Sequence, residues 1–138
     1  MANRGADILA NVPLFSELSK RHLKRVAELM EEERYHEGAK VVREGEEGDS
    51  MYVLVGGQAD VVRGGRPVDR LLPGDFFGEI SLLDGGPRTA TIVADTPITV
   101  LAIRRGPFNR MLTQEPEIAG KILTALARRL RYMIRRQR

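Results

Sequence analysis

SMYVLVGGQADVVRGGRPVDRLLPG, residues 50–74, is the stretch on which the fold turns. It holds three short runs, SMYVLV, QADVVR and PVDRLL, separated by Gly56-Gly57 and Gly64-Gly65. Two-glycine connections suit primed hairpin turns, because glycine adopts positive φ without steric cost. The same grammar extends outward through KVVR (40–43), TATIVA (89–94) and ITVLAIR (98–104), all rich in Val, Ile, Leu or Thr. Gly38, Gly45, Gly48, Gly74, Gly78, Gly85 and Gly86 punctuate the rest. Many short strands at this spacing, from Tyr35 to about Arg104, predict a double-sheet roll or barrel. The fold class is therefore mainly β with flanking helices.

The flanks change period. From Ser16 to about Glu33, Leu18, Leu23, Val26, Leu29 and Met30 fall at helical spacing, with Glu31, Glu32 and Glu33 at the far end. Ser16 or Ser19 can cap this helix, and a shorter helical piece is expected near Ala6–Ala10. After the strands, GPFNRMLTQ (106–114) reads as a short helix opened by Pro107, and Pro116 opens a long one. On the long helix Ala119, Leu123, Leu126, Leu130 and Met133 repeat at steps of four and three, a heptad seam. That seam can serve as ordinary core, or pack on the roll, a second copy or a ligand.

Composition bounds the chemistry. A chain of 138 residues, 42% hydrophobic and 30% charged, is one globular domain with room for a single core. No apolar run reaches the roughly 20 residues of a membrane span, and the first residues lack a secretory leader's apolar core. With no cysteine, disulfides, iron–sulfur clusters and thiolate zinc sites are excluded, and a cytoplasmic address is expected. The net charge is +3, and from Lys121 to Arg138 the chain carries basic residues and no acidic one. A solvated helix face explains that tail better than direct nucleic-acid binding, because no aromatic-rich basic surface accompanies it. His22 and His36 stand alone and read as surface or packing residues, too few for a metal cluster. Glu46, Glu47 and Asp49 in REGEEGDSMY lack the spacing of a calcium loop and read as a solvated turn. Nothing resembles a nucleophile triad or a paired-carboxylate site, so no enzyme activity, metal or cofactor is expected.

FFGEISLLDGGPRTATIVA, residues 76–94, carries the functional signal. Gly78 precedes Glu79-Ile80-Ser81-Leu82-Leu83, a single helical turn whose start offers free N–H groups to an anion. Ten residues on, Arg88 supplies a planar fork suited to a phosphate, Thr89 a hydroxyl and Ala90 another N–H. Glu79 only accepts hydrogen bonds at neutral pH, so it suits a donor such as a ribose hydroxyl. Phosphate on one side and sugar hydroxyl on the other describe a nucleotide of low charge. Without a ligand, Glu79 and Arg88 can instead pair with each other.

The run G-E-I-S-L-L, three residues, then P-R-T-A resembles the phosphate-binding cassette of the cyclic nucleotide-binding domain family. VPLFSEL, HEGAKVVREGEEGDSMYVLVGGQADVV, LLPGDFFGEIS and PEIAGKILTALARRLR extend the resemblance along most of the chain. It implies an eight-stranded jelly roll (β-roll) with an N-terminal helix and C-terminal helices. On this reading residues 1–138 form a single domain: a helical segment 1–34, the roll 35–105 with its cassette at 76–90, and hinge and lid helices 106–138. The ligand implied is cyclic AMP (cAMP), ahead of cyclic GMP (cGMP). Arg88 would pair with the cyclic phosphate, helped by N–H groups near Ser81 and Ala90, and Glu79 with Gly78 would hold the ribose 2′-hydroxyl. Thr89 would touch phosphate or base, Ile80 belongs to the cassette turn, and Leu71 and Phe77 would line sugar or base. Arg129 and Met133 fall at lid positions, where closure of the last helix would convert binding into movement.

Relatives often carry a DNA-reading, kinase or channel part, so the chain can also be the ligand-binding half of a transcription regulator. It ends about twenty residues into its closing helix, and no nucleic-acid contact or membrane segment is expected within it. Partners expected are the cyclic nucleotide and, through the last helix, a homodimer or an effector domain. A reading of another class is a roll-fold enzyme or small-acid sensor in which Arg88 binds a carboxylate.

Overall fold

The computed structural model describes the backbone of residues 2–137 and the side chains of residues 5–137. In chain order these form α1 (Ala2–Leu9), a 3-10 turn (Pro13–Phe15), α2 (Lys20–Ala27), β1 (Glu31–Tyr35), β2 (Lys40–Val42), β3 (Ser50–Gly56) and β4 (Ala59–Arg63). There follow β5 (Arg66–Leu71), β6 (Phe76–Phe77), α3 (Glu79–Asp84), β7 (Thr91–Ala94), β8 (Ile98–Arg104), α4 (Arg105–Gln114) and α5 (Pro116–Arg136). No described helix is long and apolar enough to cross a membrane. The chain divides into a β-roll unit, Met30–Phe108, and a helical unit of the residues up to Leu29 and from Asn109 onward.

In the roll two four-stranded antiparallel sheets run β1-β8-β3-β6 and β2-β7-β4-β5. The eight-stranded double sheet is the architecture expected. Val42, Tyr52, Leu54, Ala59, Leu71, Phe77, Ile92, Ala94, Ile98, Val100 and Ala102 pack together from both sheets. Burying a side chain such as Leu54 or Ile92 contributes about 1.5–3 kcal/mol, which is what holds the two layers face to face. On β3, Ser50 through Leu54 are all buried, so this central strand reads as a continuous apolar run rather than an alternating one.

The two double-glycine connections behave differently. Gly64 and Gly65 have φ of 60° and 78°, the paired positive values of a tight hairpin between β4 and β5. Gly56-Gly57 is not a hairpin, because β3 and β4 belong to different sheets. Only Gly57 turns left-handed, at φ 82°, and a Cβ there would lie 2.3 Å from the Pro97 carbonyl oxygen. Where the chain passes from one sheet to the other, backbone approaches backbone too closely for a side chain, so the position requires glycine.

A second correction concerns residues 28–35. The helix expected to reach about Glu33 stops at Ala27, and Glu31–Tyr35 forms β1 against β8. Three consecutive carboxylates resemble a helix end, but period two is what the sheet uses. Glu33 and Tyr35 are half-buried on one face, while Glu32 and Arg34 pair at 3.2 Å on the other. Glu33 is ion-paired with Arg104 of β8 and accepts a 2.6 Å hydrogen bond from the Tyr35 hydroxyl. The strand is thus fixed by a partner about seventy residues away, which local periodicity does not reveal.

In the helical unit Ser19 is the α2 cap, its side chain accepting from the His22 N–H at 3.2 Å. Buried His22, Leu23 and Val26 line one face of α2. Arg25 reaches Gln114 at 3.0 Å and Glu115 at 3.4 Å, and His22 lies 3.5 Å from Glu117. On α5 the buried residues are Ile118, Ile122 and Ala125. The longer heptad seam, one position along, faces solvent: Leu123 is 67% exposed, Leu126 36%, Leu130 59% and Met133 52%. This helix therefore has two apolar stripes, and its own unit covers the shorter.

Burial, the hydrogen bond to Glu33 and that carboxylate's charge raise the Tyr35 pKa well above its ordinary value. The folded state therefore holds this proton more tightly than the unfolded chain. The resulting stability is fully present below about pH 10, the unfolded tyrosine value, and is lost as pH climbs toward the folded value. Tyr35→Phe should flatten the alkaline limb of a urea-stability profile taken between neutral pH and pH 11; an unchanged limb would contradict this assignment.

Candidate functional site

Arg88 is buried, only 8% exposed, and the local backbone is shaped to admit it. β6 pairs with β3, setting Phe77 opposite Tyr52, and their rings stack with centroids 5.0 Å apart. Gly78 then turns the chain left-handed, φ 85°, into α3. At the other end Gly85, φ 68°, closes α3 with its N–H on the Ser81 carbonyl at 2.8 Å. The buried Ser81 hydroxyl donates to the Gly86 carbonyl at 3.1 Å, which ties the turn to the segment that follows.

That following segment is clamped by the loop after β2. Gly48 N–H bonds the Gly86 carbonyl at 3.1 Å, Arg88 N–H the Glu46 carbonyl at 2.8 Å, and Gly45 N–H the Arg88 carbonyl at 2.9 Å. Arg63 donates from Nε to the Thr89 carbonyl at 3.1 Å, and Glu44 N–H to the Thr91 hydroxyl at 2.9 Å. Residues 44–48 thus hold this segment through their peptide groups.

The Arg88 guanidinium donates to the Ser50 carbonyl at 2.7 Å and stands 5.8 Å from the Tyr52 ring centroid, a cation–π arrangement. Two glycines give it space. A Cβ at Gly48 would lie 2.3 Å from Arg88 Nε, and one at Gly78 would lie 2.6 Å from its terminal nitrogen and 2.7 Å from the Ser50 oxygen. Burial lowers the Arg88 pKa, while Tyr52 and Asp49 pull it back up. An arginine so shifted remains charged at neutral pH. Among the described residues no carboxylate forms an ion pair with it. The alternative Glu79–Arg88 salt bridge is thus not formed, and half-buried Glu79 makes no ion pair of its own among the described residues. A buried cation beside a neutral carbonyl is a costly arrangement that an incoming anion would relieve.

Of the residues singled out from sequence, Gly78, Glu79, Ile80, Ser81, Arg88, Thr89 and Ala90 come together in one continuous feature of the roll. Ile80 and Thr89 are exposed there, and Ser81 and Ala90 are buried. Leu71 and Phe77 lie in the core cluster, where Phe77 backs the Tyr52 ring. Arg129 and Met133 are exposed on α5, in the helical unit. Sequence reasoning missed Gly48, Ser50 and Tyr52. Gly48 has an ordinary negative φ, so no turn signal marks it; the reason for a glycine there is the space Arg88 occupies.

Gly78→Ala forces a side chain into left-handed backbone and into two atoms of the Arg88 seat. It should destabilise the fold by about 2–4 kcal/mol in urea denaturation, more than the roughly 1 kcal/mol of the strained φ alone. A loss below 1 kcal/mol would mean that the seat gives way easily.

Comparison with known proteins agrees with this geometry. Residues 32–115 match the family model described as the cyclic nucleotide-binding domain. The chain is 38% identical over 108 residues to a cAMP-dependent protein kinase regulatory subunit of Colletotrichum orbiculare, covering 77% of this chain and 28% of that protein. It is 37% identical over 127 residues to a cyclic nucleotide-gated potassium channel of Rhizobium etli, covering 91% of this chain and 36% of the channel. The chain therefore spans about a third or less of these curated relatives. Among solved structures, the N-terminal domain of a transcriptional regulator from Streptomyces coelicolor A3(2) superposes with a TM-score of 0.84 at 36% identity, with 92% of each chain covered. With its sheets, its cassette and a family match across more than half its length, the chain belongs to the cyclic nucleotide-binding domain family.

Proposed function

We propose that this chain is a regulatory, non-catalytic module that binds a cyclic nucleotide, cAMP ahead of cGMP, and passes the binding event to α5. The observation that carries the reading is Arg88: a buried guanidinium that meets the Ser50 carbonyl and the Tyr52 ring, with no carboxylate ion-paired to it among the described residues, next to Gly78 and the start of α3. A cyclic phosphate has a single negative charge, which one arginine and a few N–H groups match. Glu79 then takes the ribose 2′-hydroxyl, Thr89 touches phosphate or base, and the lid positions Arg129 and Met133 on α5 close over the base. The kinase regulatory subunit's stated dependence on cAMP supports the order of preference. For the whole protein, mutual coverage with a transcriptional regulator's N-terminal domain favours a second reading, the ligand-binding part of such a regulator.

Calorimetric titration with cAMP, cGMP and 5′-AMP tests the site. Cyclic nucleotide should bind and 5′-AMP, with its extra charge and bulk, should not. Arg88→Ala should cost about 2–5 kcal/mol, or roughly thirtyfold to several-thousandfold in affinity. Glu79→Ala should cost less, about 1–3 kcal/mol, by losing a charge-to-hydroxyl bond. Equal binding of 5′-AMP or of a simple carboxylate would point instead to an acid sensor.

The partner we assign to the exposed seam of α5 is a second copy of the chain. With Leu123 and Leu130 at a and Leu126 and Met133 at d, the g residue Arg129 meets the partner's Ile134 at e in a parallel pair. An antiparallel pair would set arginine against arginine. Sedimentation should show a dimer that Leu123→Glu with Leu130→Glu dissolves, and cAMP should shift its dissociation constant if binding and α5 are coupled. A monomer at all concentrations would remove this assignment.

A further inference from the structure

Asp49 stands between Gly48 and Ser50, both of which meet the Arg88 side chain, yet its carboxylate forms no ion pair with the guanidinium. Its side chain is otherwise engaged. Ser50, 0% exposed, donates its hydroxyl to Asp49 Oδ1 at 2.7 Å. The same Ser50 oxygen accepts a 3.0 Å hydrogen bond from Arg104. An N–H arriving at that oxygen occupies a lone pair, so the hydroxyl proton must point elsewhere, and Asp49 receives it.

Arg104 is itself held. Ser50 and Arg104 are direct partners across β3 and β8, so their side chains leave the sheet on the same face. Arg104 is ion-paired with Glu33, and Glu33 accepts from the Tyr35 hydroxyl. Burial works against the Arg104 charge, but Glu33, Tyr52 and Asp49 together carry its pKa above the ordinary value. Hydrogen bonds therefore run in one direction, Arg104 to Ser50 and Ser50 to Asp49. The backbone is also fixed, with Arg105 N–H on the Asp49 carbonyl at 2.7 Å. With the backbone held, the Ser50 hydroxyl is what aims the Asp49 carboxylate.

We propose that Ser50 is a positioning residue: its hydroxyl, aimed by Arg104, holds the Asp49 carboxylate off Arg88 and leaves the guanidinium's charge for the ligand. Ser50 acts twice, its carbonyl orienting the fork and its hydroxyl removing the competitor. This rests on Arg88 being the anion-binding group of the proposed site.

The test joins a ligand-free readout to binding. In Ser50→Ala, Asp49 turns onto Arg88, so the Arg88 Nε–H signal in nitrogen–proton NMR moves downfield, and cAMP affinity falls about tenfold. Adding Asp49→Asn to Ser50→Ala returns the signal and restores affinity to within about twofold, which a purely structural role for Ser50 would not do. Should Ser50→Ala fail to fold, Arg104→Met, which unties the hydroxyl at a half-buried position, should move the same signal. An unmoved Arg88 signal, or no rescue by Asp49→Asn, overturns the proposal. If wild-type protein binds no cyclic nucleotide while the signal still moves and returns, the functional reading falls and the Ser50–Asp49 arrangement stands.

Discussion

Burying one guanidinium beside a neutral carbonyl is the constraint around which the roll is organised. Arg88 could be neutralised by Glu79, nine residues earlier, or by Asp49, yet neither reaches it. Instead it meets the Ser50 carbonyl, the Tyr52 ring and the space left by Gly48 and Gly78. Each of these comes from the start of β3 or from the turns next to it. A buried charge without a counterion costs several kcal/mol, and a two-sheet core of this size can supply that only if every other buried group is well packed.

The clamp between residues 45–48 and 86–88 explains how the segment holding that charge keeps its shape without belonging to a long strand. Its hydrogen bonds are backbone to backbone, so side chains of the acidic turn stay exposed while their peptide groups secure the cassette. Polar side chains then extend the constraint across the first sheet. Tyr35, Glu33, Arg104 and Ser50 form a donor–acceptor series from β1 through β8 to β3. The same series places three glutamates in a strand and orients the oxygen beside the site.

The helical unit follows a separate logic. α5 carries more apolar surface than its own unit covers, because Ile118, Ile122 and Ala125 turn inward while the heptad residues beside them stay exposed. In a basic helix, that uncovered stripe is surface whose contacts can change without unfolding the core.

Much of this was determined by the sequence alone. Short β-branched runs between glycines announce a roll, and Gly78 through Asp84 announce a turn into a short helix, because turn chemistry and a six-residue helix are local properties. The helical start of α3 and the Gly64-Gly65 hairpin are likewise as read. Tertiary structure decided what depends on distant partners. β1 is a strand because β8 pairs with it and Arg104 neutralises Glu33. Gly57 is needed at the change of sheet because Pro97 approaches it, and Gly48 is needed because Arg88 fills the space above it. On α5, packing buried Ile118, Ile122 and Ala125, one position from the heptad seam that periodicity marked. Local sequence specifies conformation; which charge goes unpaired, and which apolar face is covered, is settled only when remote segments meet.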